Sequence, residues 1–192
     1  IIERIREKVA NKAALDPEVG ADWAAVEMAW EKVEQAVASG RRDAVTLAWT
    51  CVDMANAVEL PLLEQELAVL IKMATGRGIS LIPSTHRIPA VARREEIAFL
   101  RTAIKNSAAD MAGELIDLCQ EGLMGRRVDG VTRMVLGLLA RAERDLEDGL
   151  YFAPESTAKQ AYELLFGAET AKATWASRRA GVPVEQGEPV IR

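Results

Sequence analysis

Apolar residues recur along almost the whole chain at steps of three and four, the period of an amphipathic helix, and no segment alternates as a strand does. Residues 1–14 read as a short first helix, broken by "LDPEVG" at 15–20. Trp23, Val26, Trp30, Val33 and Val37 then share one face of a second helix, which Gly40 is expected to stop with a left-handed cap. Asp43 is placed to cap a third helix over about 44–58, with Val45, Ala48, Trp49, Val52 and Ala55 as its inner face. Pro61 predicts a fresh start near Leu60, and Leu60, Leu63, Leu67, Leu70 and Ala74 carry that helix to Gly76. A long helix is expected from about Arg93, with Ile97, Leu100, Ile104, Ala108, Met111, Leu115 and Leu118 on one stripe. Val131, Val135, Leu138, Ala142 and Leu146 mark the next inner face. Ala161, Leu164, Leu165, Ala168, Ala171 and Trp175 mark the last, with Pro154 and Glu155 in its first turn.

The expected fold class is all-α: six or seven helices in antiparallel hairpins, forming one bundle or two small lobes. The expected organisation is helical hairpins over 1–75, a long irregular loop over 76–92, a helical bundle over 93–180 and an extended tail over 181–192. The loop "GRGISLIPSTHRIPAVA" holds Ile79, Leu81, Ile82 and Ile88, so it is expected to pack on the protein or on a partner. One phrase is repeated. "SGRRDAVT" at 39–46 returns as "MGRRVDGVT" at 124–132. In each, a glycine ends one helix and an aspartate, Asp43 or Asp129, precedes another, which is the make-up of a short helix connector.

Composition changes little of this. The chain is 49% hydrophobic and 28% charged, as globular domains are. Its longest apolar run, "MVLGLLA" at 134–140, is far too short for a membrane span, and the amphipathic start lacks a signal peptide's apolar core. The chain begins with Ile rather than Met, which leaves room for residues upstream. Cys51 and Cys119 lie among apolar neighbours with neither disulfide framework nor zinc spacing, so two buried reduced thiols in a cytoplasmic protein are expected. A net charge of −5 argues against a freestanding DNA-coating protein. Arginine nevertheless outnumbers lysine by 17 to 7, and arginine is the better bidentate ligand for phosphate or carboxylate.

Catalytic chemistry finds few candidates. His86 is the only histidine, and "ISLIPSTHRIP" around it lacks the glycine pattern of a nucleophile elbow. There is no Glu-x-x-His for a di-iron bundle, and "GRGIS" at 76–80 has neither the strand nor the lysine of a phosphate loop. No cofactor, metal or catalytic residue is therefore assigned. One enzyme alternative remains. Glu31 and Glu34 in "EKVE", with Glu114 and Asp117 in "ELID", resemble the carboxylate pairs of all-α magnesium-dependent nucleotide pyrophosphatases, although they lie much further apart in the chain.

The arginines are the candidate contacts. Arg41–Arg42, Arg93–Arg94, Arg126–Arg127 and Arg178–Arg179 are doublets at predicted helix ends or connections. Arg77 and Arg87 flank the long loop, and Arg133 continues a basic stripe after 126. Guanidinium groups at turns suit a phosphate backbone, because no helix geometry restricts their reach. The four tryptophans lie on apolar stripes, where core packing outweighs base stacking, most clearly for Trp30 and Trp49. The expected function is a non-catalytic helical subunit of a larger assembly, leaning to a nucleoprotein complex, with other protein subunits and nucleic acid as partners. Small helical subunits of CRISPR effector complexes and small packaging subunits of phages share this profile, though no residue motif singles out either. The alternative is a protein-binding helical adaptor without nucleic acid.

Overall fold

A computed structural model describes residues 2–13 and 16–179. Among them are seven helices and no strand: α1 (Ile2–Ala13), α2 (Pro17–Ala38), α3 (Ala44–Thr75), α4 (Pro89–Leu123), α5 (Gly130–Glu147), α6 (Phe152–Phe166) and α7 (Ala168–Arg179). The all-α expectation holds. None of these helices is long and apolar enough to cross a membrane. The expected tail at 181–192 lies outside the described residues. Two compact units divide the chain. One runs to Val69 and includes Ile82–Ala98; the other comprises Leu70–Leu81 and the residues from Phe99 onward. Both α3 and α4 lend residues to each unit.

In the first unit, α1 packs on α2. Ile5 and Val9 of α1, Trp23, Val26 and Val33 of α2, and Cys51 and Ala55 of α3 form its buried core. Helix α2 begins earlier than the apolar stripe implies. The Asp16 carboxylate accepts the Glu18 N–H at 3.1 Å, and Pro17 occupies the first turn, where its missing N–H costs nothing. Gly40 ends α2 as expected, with φ +63°. The Arg41 N–H reaches the Ala36 carbonyl at 2.9 Å and the Gly40 N–H reaches Val37 at 3.0 Å, the paired bonds of a Schellman cap.

Helix α3 departs from the expected break at Pro61, which lies inside one continuous helix. Cys51, Ala55, Glu59, Leu63 and Leu67 are all buried at steps of four, so a single packed stripe runs through the proline. The packing of that stripe outweighs the hydrogen bond that proline forfeits. The same stripe corrects the expected inner face. Val45 and Trp49 point outward, and Trp49 is 62% exposed. The irregular segment is also shorter than expected, because α4 starts at Pro89, with Ala90 and Ala92 buried.

In the second unit, α5 packs on α6 and α6 on α7. Leu115 and Cys119 of α4 join Val135 and Leu139 of α5 and Ala158, Tyr162 and Leu165 of α6 in its core. The expected α5 face is rotated by part of a turn. Thr132, Val135, Leu139 and Ala142 are buried, and Val131 is exposed. The last expected helix is two helices, parted at Gly167 with φ +87°, which leaves Leu164 and Ala168 outside the core. At Gly122 a Cβ would lie 2.6 Å from Phe166 Cζ, so α4 needs a residue without a side chain where that ring meets it.

Candidate interaction surfaces

The arginines fall into groups that the sequence does not distinguish. Arg94 of α4 donates from Nε to Glu59 Oε2 at 2.9 Å and from Nη2 to Asn56 Oδ1 at 2.6 Å, and Glu59 is 1% exposed. Arg93 donates to the buried carboxylate of Glu96 at 2.7 Å. In the other unit, Arg77 donates to the buried Glu155 at 2.6 Å and lies over the Phe152 ring. Lys159 shares Glu155 from the other side at 2.5 Å. These three guanidiniums are engaged by buried carboxylates, which is a folding role.

The repeated phrase also divides. Arg41 pairs with Asp43 through two hydrogen bonds, so Asp43 holds an arginine in place of the expected capping bond. That guanidinium keeps the Asp43 carboxyl below its ordinary range. Asp129, by contrast, caps α5 by accepting the Thr132 N–H at 2.8 Å. That bond first, then the Thr132 side chain and the Arg126 charge, hold its carboxyl low. Arg126 is half-buried, and its Nη2 has no hydrogen-bond partner among the described residues. Arg133 makes one long bond, Nε to the Asp129 carbonyl at 3.3 Å. Arg42, Arg87, Arg127 and Arg133 are exposed. The side chains of Arg178 and Arg179 lie outside the described residues.

Exposed apolar side chains accompany some of these cations. Met124, Val128, Val131 and Met134 are all exposed, Met124 by 77%. They occupy the α4–α5 connection and the start of α5. Between Gly122 and Ala142 the chain carries four arginines and one aspartate. The aspartate is Asp129, whose charge is engaged by the α5 N-terminus.

A second surface was missed in the sequence. A groove of about 660 Å³ runs among α1, α2 and α3, with Trp30, Trp49, Val52 and Ala48 among its apolar lining residues and Glu3, Glu27, Glu31 and Glu34 among its acidic ones. Trp30 is half-buried, and its indole N–H donates to Glu34 at 2.9 Å. Trp23 does the same with Glu27 at 3.1 Å, from within the core. The signal was present as Trp-x-x-x-Glu, twice on one helix, since residues four apart share a helix face.

The Ser84 hydroxyl donates to Glu95, while the His86 ring Nδ1 accepts the Ile88 N–H at 3.4 Å. Among the described residues, no group of three or more His, Cys, Asp or Glu side chains is placed to hold a metal ion. Glu31 and Glu34 border the groove of the first unit, and Glu114 and Asp117 belong to the second. Both thiols are free and buried, and burial pushes Cys119 up to about 12. No protein-family model, curated protein or solved structure matches the chain.

Proposed function

We propose that this chain is a non-catalytic helical component of a nucleoprotein assembly. Its α4–α5 connection docks on a sister protein, and the exposed arginines beside it reach a phosphate backbone. One observation carries the reading: Met124, Val128, Val131 and Met134 are exposed in the same short stretch as Arg127 and Arg133. Apolar side chains grouped in water mark surfaces that a partner covers. Guanidiniums beside them, with the one nearby aspartate already capping a helix, favour an anionic neighbour. The net charge of −5 confines such contact to this face and makes it weak in isolation. The buried free thiols fit a reducing compartment, the cytoplasm.

Fluorescence anisotropy of labelled single-stranded RNA and duplex DNA, at about 50 and 200 mM salt, tests the reading. Binding that weakens steeply with salt is expected, with a shallower slope for the Arg127→Gln/Arg133→Gln double variant. No binding at the lower salt, or an unchanged slope in the variant, overturns it. The adaptor without nucleic acid is the second reading, favoured by the commitment of Arg77, Arg93 and Arg94 to internal carboxylates.

A further inference from the structure

The groove of the first unit combines features that ordinary surface does not. A tryptophan 62% exposed is costly in water, and Trp49 stands beside the half-buried Trp30. Among the described residues the rim is acidic: four glutamates line it against one arginine, Arg6, which Glu27 already holds at 3.2 Å. Glu3, Glu31 and Glu34 are exposed around an apolar floor, Glu34 while accepting the Trp30 indole N–H. The apolar strip also outruns the groove. Val45, one turn before Trp49 on α3, is 66% exposed, so Val45, Trp49 and Val52 step by four and three along one helix face. A compact ligand would cover only part of that line. A helix presenting side chains at i, i+3, i+4 and i+7 matches its length and spacing.

We propose that this groove is the docking site for a basic amphipathic α-helix of a partner protein. The apolar face of that helix lies over Trp30, Trp49 and Val45, and its lysines or arginines meet Glu3, Glu31 and Glu34. The proposal rests on the reading of the chain as an assembly component, but on a different surface and without nucleic acid. Charge complementarity selects the occupant: a neutral or acidic helix would leave three carboxylates crowded at the edge of a desolvated floor.

The test uses the full chain and a fluorescein-labelled peptide about five turns long, with leucine at i, i+3, i+4 and i+7 and lysine elsewhere. A counterpart with glutamate in place of lysine is the control. The lysine peptide is expected to bind at least about tenfold more tightly than the glutamate peptide. Trp49→Ala should weaken it by about tenfold, and Trp49→Phe should retain most of the affinity. Glu3→Gln/Glu31→Gln should flatten its salt dependence. Arg127→Gln/Arg133→Gln should leave it unchanged, which separates this result from the nucleic-acid titration. Circular dichroism melts confirm that each variant folds.

Equal affinity of Trp49→Ala and the parent chain for the lysine peptide overturns the proposal, as does equal affinity for the two peptides. Displacement of the lysine peptide by tetrapropylammonium at matching concentration would put a small organic cation in the groove instead. Self-association of the parent chain, lost in Trp49→Ala by sedimentation velocity, would make a second copy the occupant.

Discussion

Arg94 separates a structural arginine from a contact arginine, and Arg94→Met is the decisive change. Methionine keeps much of the aliphatic length and removes the guanidinium. The loss strips three hydrogen bonds, two to Glu59 and one to Asn56, from groups that are 1% and 8% exposed. Removing one partner of a buried pair costs about 3–5 kcal/mol, because the remaining charge stays desolvated. The Arg94 side chain keeps 16% of its exposure, so the lower end, about 3 kcal/mol, applies here. For a chain of this size that lowers the melting temperature by roughly 6–12 °C. Urea titration followed by circular dichroism measures it as a shifted midpoint at constant slope. The double variant Arg94→Met/Glu59→Met should recover part of the loss, since an apolar pair of similar volume carries no buried charge, while Asn56 still lacks its donor. A cost below about 1 kcal/mol for Arg94→Met, or no recovery in the double variant, would refute the buried-pair reasoning.

Other outcomes follow from the packing. Trp49→Ala should cost less than about 1 kcal/mol and Trp23→Ala about 3–5 kcal/mol, as urea titrations of the two variants would show. Gly122→Ala should destabilise by about 1–2 kcal/mol, because overpacking against Phe166 and Leu165 exceeds the helix-propensity gain; a stabilised variant in thermal melts would show that the ring yields freely. Cys119 should resist alkylation by N-ethylmaleimide at pH 8 until the chain unfolds. Burial places its titration near 12, so almost no thiolate forms in the native state, and peptide mapping after native and denatured labelling reads the difference.

Local physics was legible in the residues alone. The helical period is a property of the chain, so the all-α class and the α4 stripe of Ile97, Leu100, Ile104, Ala108 and Leu115 were available before any fold. Gly40 was readable as a cap because a left-handed turn strongly favours a residue without Cβ, and Asp129 because a short carboxylate at that place satisfies a free helix N–H. Rotation about a helix axis was not legible. One residue turns a side chain by about 100°, so a stripe misread by one position moved Trp49 and Val131 from core to surface. Pro61 misled because its cost is local, whereas the buried stripe that overrides it needs partners from other elements.

The fates of Arg94 and Arg77 were decided by tertiary structure. Arg94 meets Glu59 across 35 positions and Arg77 meets Glu155 across 78. No local pattern distinguishes them from Arg42 or Arg127, which remain in solvent. A guanidinium is the same group at every position in the chain. Whether it neutralises a buried carboxylate or stays in solvent depends on which distant residue the fold buries beside it.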